Sequence, residues 1–431
     1  MLEYTFDSGD EISTSDEFQT FIDNVPSESK IIVKGTIKCD TPIQINKPIS
    51  IYYGTFIGSE SIVISSSDVH LESITVRDSN KKLLSGKTAV SIHGLNGYIK
   101  NVTIHKCKVH NVGYNAVRVR YAENVNITNN VIENYRYAGV AIGVANYVKV
   151  HNNYIRNGES NSTVNHNAYG IYASSSSTAG VVSNNIDISH NYVENIPHWE
   201  GIDTHNGHNI KVTNNVVKGC RRGIAIVTVL NDDPNVRPKN VVVSNNSVDG
   251  TGKSNLYFEQ NIGIVFGGRT TNKLDGVVTN NYIESYDDPI AFHPYDYDRY
   301  NGPVYVHSNI IRDTPTKPPN TNVWDSGYVD PGEYFVLKNK YGNTLKINGA
   351  MSRHVVTPHG FSIELVGKFL PRNIDLKLKE EYLSYVDYNI VGYYIEKDGT
   401  RHDVTLKYDG SVEIPFDKNE YGRIELLIRN R

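Results

Sequence analysis

One pattern returns eight times along the middle of this chain, and it leaves few folds open. Aligned beneath one another, NVTIHKCKVHN, NVNITNNVIEN, YVKVHNNYIRN, NIDISHNYVEN, NIKVTNNVVKG, NVVVSNNSVDG, GVVTNNYIES and VYVHSNIIRD share the form apolar-x-apolar-x-Asn-Asn-x-apolar. The second Asn recurs at Asn130, Asn153, Asn191, Asn215, Asn246, Asn281 and Asn309, at spacings of 23 to 38 residues. That is the range in which stacked repeats are expected before anything else. After most copies comes a further short apolar run: GVAI at 139, GIYA at 170, GIDT at 201, GIAI at 223, GIVF at 263 and PIAF at 289. Two or three short strands per repeat, variable loops and no helix between them predict an all-β stack. It is a right-handed parallel β-helix in which each repeat is one coil, about 4.8 Å above the last. Leucine-rich repeats need a leucine pattern that is missing, and propeller blades need hairpin signals that are scarce before residue 398. The Asn column reads as structural. Such residues bond backbone groups and their neighbours above and below, and Asn tolerates the left-handed backbone of a tight turn.

The ends read differently. Residues 1–29 are expected to cap the stack. Within them TSDEFQTFIDNV (14–25) predicts a short amphipathic helix, with Thr14 and Glu17 as a capping box and Phe18, Phe21, Ile22 and Val25 on one face. The coils occupy 30–315. A Pro-rich stretch, 316–330, reads as a linker, and 331–431 as a C-terminal antiparallel β-sandwich-like domain for trimerisation or carbohydrate binding. Asp-Gly pairs at 398–399 and 409–410 are the hairpin signals there.

A net charge of −4 argues against nucleic-acid binding. No run approaches the length of a membrane span, and the first residues lack the pattern of a secretion signal. The three cysteines, Cys39, Cys107 and Cys220, are too scattered for a disulfide framework or a zinc site, and read as small apolar fillers. Thirty tyrosines suit sugar rings, though tyrosine is also simply a good strand residue.

Chemistry gathers in IPHWEGIDTHNGHN, 196–209. In the strand phase, Ile202 and Thr204 point inward, so Asp203 faces outward, with Tyr172 one coil before it and Ala225 one coil after. His205 shares that face. Glu200 precedes the strand, flanked by Tyr169 and Arg222 at the equivalent positions. The catalytic candidates are therefore Glu200, Asp203, His205, Arg222 and Tyr169. Tyr172, His166, His198, Trp199, Arg221 and Tyr137 are candidates for holding substrate. Each residue has a plain structural reading alone: a solvated Asp or His, a packed Trp, a surface Arg–Glu bridge of little worth. Their joint occurrence in neighbouring coils points to a groove. The enzyme reading requires Asp203 and His205 to lie open on the outer face, and Glu200 and Arg222 to share one side of the stack.

Two chemistries remain open. In β-elimination on a uronate, His205 would be the base, Tyr169 or Tyr172 the acid, and Arg221 or Arg222 the neutraliser of the sugar carboxylate. In hydrolysis, Glu200 and Asp203 would be the acid and base, at the roughly 6 to 9 Å that suits inversion. No cofactor and no metal is expected. Calcium-assisted elimination would need a carboxylate cluster, and the acidic run Asp287, Asp288, Asp296 and Asp298 reads as solvated loop.

The repeat resembles that of the pectate-lyase-like superfamily, which includes pectate lyases, alginate-modifying enzymes and phage tailspikes. EGIDTHNGHNIKVTNNVVKGCRRGIAI is also similar to the catalytic segment of mannuronan C5-epimerases and alginate lyases, where a Tyr-Gly-x-Asp-Pro-His-Asp run opens the same strand. Asp203 and His205 match its Asp and His. Thr204, Asn206 and Glu200 depart from its Pro, final Asp and leading Tyr, and Arg222 stands where a His is frequent. The resemblance implies a depolymerase of the tailspike kind, a homotrimer on a virion tail acting on bacterial surface or extracellular polysaccharide, with neither nucleic acid nor membrane as partner. The alternatives are a secreted polysaccharide lyase or epimerase, and a tail protein that binds glycan without cutting it.

Overall fold

The structure, a computed structural model, describes residues 2–78, 86–94, 97–160, 167–174, 182–228, 238–252, 261–268, 276–286, 288–293, 304–307 and 309–312, and eight strands between 335 and 427. The 316–330 linker, His166 and most of the 287–298 acidic run lie outside them.

Along the first 312 residues every strand pairing is parallel, and the strands fall into three columns, one strand of each per coil. The repeat motif supplies two columns. The runs exemplified by Asn184–Ser189 and His208–Thr213 form one, and the short strands such as Tyr192–Glu194 and Val216–Lys218 form the next. The third contains Val90–His93, the first half of Asn115–Thr128, the first half of Ala138–His151, Tyr169–Ser174, Glu200–His205, Arg222–Thr228 and Ile262–Gly268. This third column carries the candidate site. Inside the coils, Val90, Val117, Val140, Ile171, Ile202, Ile224 and Ile264 stack in register, each at most 1% exposed. Burying such a side chain is worth about 1.5–3 kcal/mol, so alternate residues of every strand are committed to the interior.

The Asn column is a continuous ladder. The side-chain Nδ2 of Asn130 donates to Oδ1 of Asn153 at 2.9 Å, and the same bond repeats through Asn191, Asn215, Asn246, Asn281 and Asn309. Each backbone N–H from Asn130 to Asn281 also donates to the next Oδ1, and each Nδ2 to a carbonyl such as Ile104 or Ile188. The left-handed backbone belongs to the residue before: Asn129, Asn152, His190, Asn214, Asn245 and Asn280 have φ of 56 to 59°. The pair thus divides two tasks that the sequence had assigned to one residue.

At the N-terminus the helix spans Ser15–Asn24 with the expected Thr14–Glu17 capping box, and Phe18 and Ile22 are fully buried. A strand, Glu3–Thr14, precedes it and pairs in parallel with Ser29–Lys38. It carries no copy of the repeat. All three cysteines are free and buried in the core, and burial pushes each thiol up to about 12. The filler reading of them is met.

The C-terminal strands form a three-stranded and a five-stranded antiparallel sheet. Val391–Ile395 pairs with Arg401–Thr405 around the first Asp-Gly, as expected of a hairpin. The second Asp-Gly lies between Arg401–Thr405 and Ser411–Pro415, which belong to different sheets, so a crossover replaces the second hairpin.

Candidate active site

A column of glycines creates the site. Gly139, Gly170, Gly201, Gly223 and Gly263 begin the site-column strands, and a Cβ on any of them would press on core methyls and the next carbonyl. At Gly201 it would meet Val217 Cγ1 at 2.6 Å and the Gly223 oxygen at 2.8 Å. The chain therefore bends there with no side chain inside. The residue before the glycine joins the outward-facing set, which is why Glu200 and Asp203, three apart, meet on one side.

Register then brings the candidates together. Tyr169, Glu200 and Arg222 stand in one row, Tyr172, Asp203 and Ala225 in the next, and Ser174, His205 and Val227 in a third. Arg222 Nη1 lies 2.6 Å from Glu200 Oε1, with both side chains at most 5% exposed. His205 Nε2 lies 2.9 Å from Asp203 Oδ2. Tyr169 presents its ring edge-on to His205 at 5.9 Å, and Tyr137 and Tyr172 pack around Tyr169 at 5.3 and 5.0 Å. Two guanidiniums lie against the Trp199 ring, Arg221 at 4.5 Å and Arg222 at 5.0 Å from its centre. His198 is half-buried in the turn just before the strand.

Three expectations need correction. Asp203 faces away from the coil interior, as read, but is not open: it is 0% exposed, while the His205 side chain keeps 29% of its surface. The rings of Tyr169 and Tyr172 and the row of Glu200 and Arg222 close over it, a consequence of side-chain bulk in adjacent coils that strand phase cannot report. Second, one oxygen each of Glu200 and Asp203 and a His205 ring nitrogen lie within 4.8 Å of one another, so the two carboxylates share a cluster with the imidazole and do not stand apart as a lone acid–base pair. Third, Arg222 is bound to Glu200 and so is not available to neutralise a sugar carboxylate. The condition that Glu200 and Arg222 share one side is met; the condition that Asp203 lie open fails, which leaves the partly open His205 as the member of the pair that can reach a substrate.

The electrostatics follow from enclosure. Burial raises Asp203 to about 7, and Glu200 adds to the rise while His205 opposes it. For His205, burial works to lower the ring, but the Asp203 charge and contact override it and hold the imidazole up at about 9. The pair keeps a proton on His205 at neutral pH. Burial, reinforced by Glu200 and Asp203, pushes the Tyr169 phenol far above its ordinary value, and burial takes Tyr172 up to about 12. Glu200 Oε2 and both Asp203 oxygens are enclosed without a well-aligned hydrogen bond, the His205 contact to Oδ2 being an ion pair by distance. An enclosed polar atom left so costs about 1–3 kcal/mol, which a purely structural position has no reason to carry.

Glu200, Asp203 and His205 are also the one constellation among the described residues with the spacing to hold a cation. Arg222 against Glu200 and the proton on His205 already supply positive charge to both carboxylates, so the donor set suits proton-holding better than a divalent ion.

Residues 50–276 match the model of the right handed beta helix region. The chain belongs to that family. No curated protein matches it. The family's fold recurs in solved structures at low identity. The Dettilon tailspike protein aligns at TM-score 0.50 and 11% identity over 99% of this chain and 94% of that one. The Yersinia enterocolitica Family 28 exopolygalacturonase aligns at 0.48 and 10%, over 74% and 76%. The Azotobacter vinelandii mannuronan C-5 epimerase A-module aligns at 0.43 and 13%, over 72% and 97%. At such identities a likeness speaks for the fold. Among the described residues no helix is long and apolar enough to cross a membrane.

Proposed function

We propose that this β-helix is a polysaccharide depolymerase in which His205 delivers a proton to the departing glycosidic oxygen and Asp203 positions and charges it. The observation that carries this reading is the Asp203–His205 contact at 2.9 Å, with the carboxylate enclosed and the ring partly open beside a wall of tyrosines. Elimination and hydrolysis both need the leaving oxygen protonated, so the assignment stands on the step they share. It reverses the role expected of His205 as base, because a ring held up at about 9 is an acid at neutral pH. The Arg222–Glu200 pair fixes the floor of the site. The half-buried Tyr137 and Tyr172 offer ring surface to sugar C–H groups, with the buried Tyr169 packed between them and His205. The substrate is a bacterial surface or extracellular glycan and the setting a phage tail, with the chain acting as a homotrimer and without a metal.

The test is incubation with capsular polysaccharide, alginate and teichoic acid, followed by product sizing and mass analysis. Shortened chains are expected from the native protein and not from His205→Gln, and a chelator leaves the rate unchanged. An unsaturated uronate at the new chain end marks elimination, a product one water heavier marks hydrolysis. Binding without any shortening would favour a receptor-binding role, which the full enclosure of Asp203 is compatible with. A monomer on sizing would favour the secreted lyase or epimerase.

A further inference from the structure

Three coils before His205 the outer face changes character. The strand Asn115–Thr128 begins NAVRVRY, with Val117 and Val119 fully buried and Arg118 and Arg120 half-buried on the outer face. Register carries Arg118 through Ala141 and Tyr172 to Asp203, and Arg120 through Gly143 and Ser174 to His205. At one coil per step, both arginines stand about 14 Å from the catalytic pair along the stack axis. A pyranose unit is about as long as one coil is high.

These guanidiniums stand close together on one strand face. Among the described residues, neither forms an ion pair with a carboxylate. Arg120 donates to the Tyr121 hydroxyl at 3.3 Å and lies 4.9 Å from that ring's centre, and Tyr121 stacks on His93. Two like charges side by side on one strand face repel, and a sheet normally offsets them across the ladder. The floor leading from them toward His205 is open at Gly143, where a Cβ would find nothing within 4 Å, while Ala141 beside it is covered. One side of that floor is lined by Tyr114 and Tyr137, stacked at 4.8 Å and 4°. Tyr172 packs over Ala141 between the arginines and Asp203. Its phenol is raised mainly by burial, while Arg118 and Arg120 pull it down and Asp203 pushes it up, as expected of a group that faces both ends.

We propose that Arg118 and Arg120 form a subsite for an anionic substituent, a carboxylate or a phosphate, on a glycan that runs along the stack axis over Gly143 to His205. Two planar forks on one face suit a tetrahedral or planar oxyanion held by parallel N–H bonds. The open floor at Gly143 gives the intervening sugars their track, and the Tyr114–Tyr137 stack gives them a ring face. The inference rests on the depolymerase reading for its direction, but not for the anion site itself.

The measurement is affinity electrophoresis in gels cast with polygalacturonate, polymannuronate, glycerol-phosphate teichoic acid or neutral dextran. The native protein should be retarded by at least one polyanion and not by dextran, and added salt should weaken the effect. The polymers that retard it tell carboxylate from phosphate. Arg118→Gln with Arg120→Gln should weaken apparent affinity by roughly 100-fold, about tenfold for each charge-assisted contact. Arg118→Lys with Arg120→Lys, which keeps charge but loses the forks, should fall between and serves if the neutral variant folds poorly. Lys218→Gln, which removes a cation from the charge-cancelling face, should be retarded like the native protein. Binding without cleavage would sink the catalytic reading and leave the subsite standing. Cleavage with equal retardation of native and Gln–Gln proteins, or no retardation by any polyanion, would overturn the subsite.

Discussion

Two outer faces of the same stack treat charge in opposite ways. On the column of short strands, successive coils place Glu133, Arg156, Glu194, Lys218 and Asp249 in register, alternating in sign. Arg156 meets Glu133 at 2.8 Å, Lys108 reaches the same carboxylate at 3.2 Å, and Lys218 meets Asp249 at 3.3 Å. On the site column, the equivalent rows hold two arginines without acidic partners, then a floor of Ala141 and Gly143, then an enclosed Asp203 under a protonated His205. Both faces obey the same stacking rule. The first uses it to cancel charge from coil to coil, and the second to concentrate it where burial magnifies its effect. A face that only joins coils has no need of the second arrangement.

The difference can be broken most sharply at His205. His205→Gln should reduce turnover by about 10²–10⁴-fold, the usual worth of a positioned proton donor, measured as initial rate of chain shortening. Lys218→Gln on the charge ladder should leave that rate unaltered. An equal loss in both would erase the distinction. Next in size is the Arg222–Glu200 pair. Glu200→Gln leaves a buried guanidinium without its counter-charge and should cost about 3–5 kcal/mol in denaturant unfolding. Lys218→Gln, which breaks a surface bridge, should cost less than about 1 kcal/mol.

A smaller effect separates the faces by pH. Asp203 is raised to about 7 and His205 to about 9 in the folded chain, both above their unfolded values. Their contribution to stability is fully present below the unfolded values and is lost as pH rises through the folded ones. Unfolding free energy should therefore decline from mildly acidic pH toward about 9, and Asp203→Asn should flatten the decline. Although burial opposes it, the ladder acid Glu133 is held below its ordinary value by Arg156 and Lys108, and Asp249 by hydrogen bonds from Thr251 and then by Lys218. They contribute in the reverse sense, losing stability only as pH falls. A native chain that gained stability between pH 6 and 9 would contradict the account of the pair.

Much of this was legible in the residues because a coil stack converts sequence periodicity into contact. The Asn column, the inward phase of Ile202 and Thr204, and the meeting of Glu200 with Arg222 all follow from the repeat. Four things did not. The closure over Asp203 depends on how the rings of Tyr169 and Tyr172 fold across neighbouring coils, which phase alone does not encode. The proton on His205 depends on that closure. Arg118 and Arg120 lie one coil before GVAI, in a strand where Ala116 replaces the leading glycine of the later runs. Their signal, Val-Arg-Val-Arg in strand alternation, was in plain view. The strand Glu3–Thr14 was missed for another reason: it carries no repeat, and Gly9 and four acidic residues break its apolar alternation.

The central claim is that an enclosed carboxylate holds a proton on a partly open imidazole. It is tested most directly by NMR titration of labelled His205 in the native chain and in Asp203→Asn. The account predicts a midpoint near 9 in the native protein and a fall to or below about 6.5, the ordinary histidine value, once the charge at 203 is gone. A native midpoint near the ordinary value, unmoved by Asp203→Asn, would contradict it.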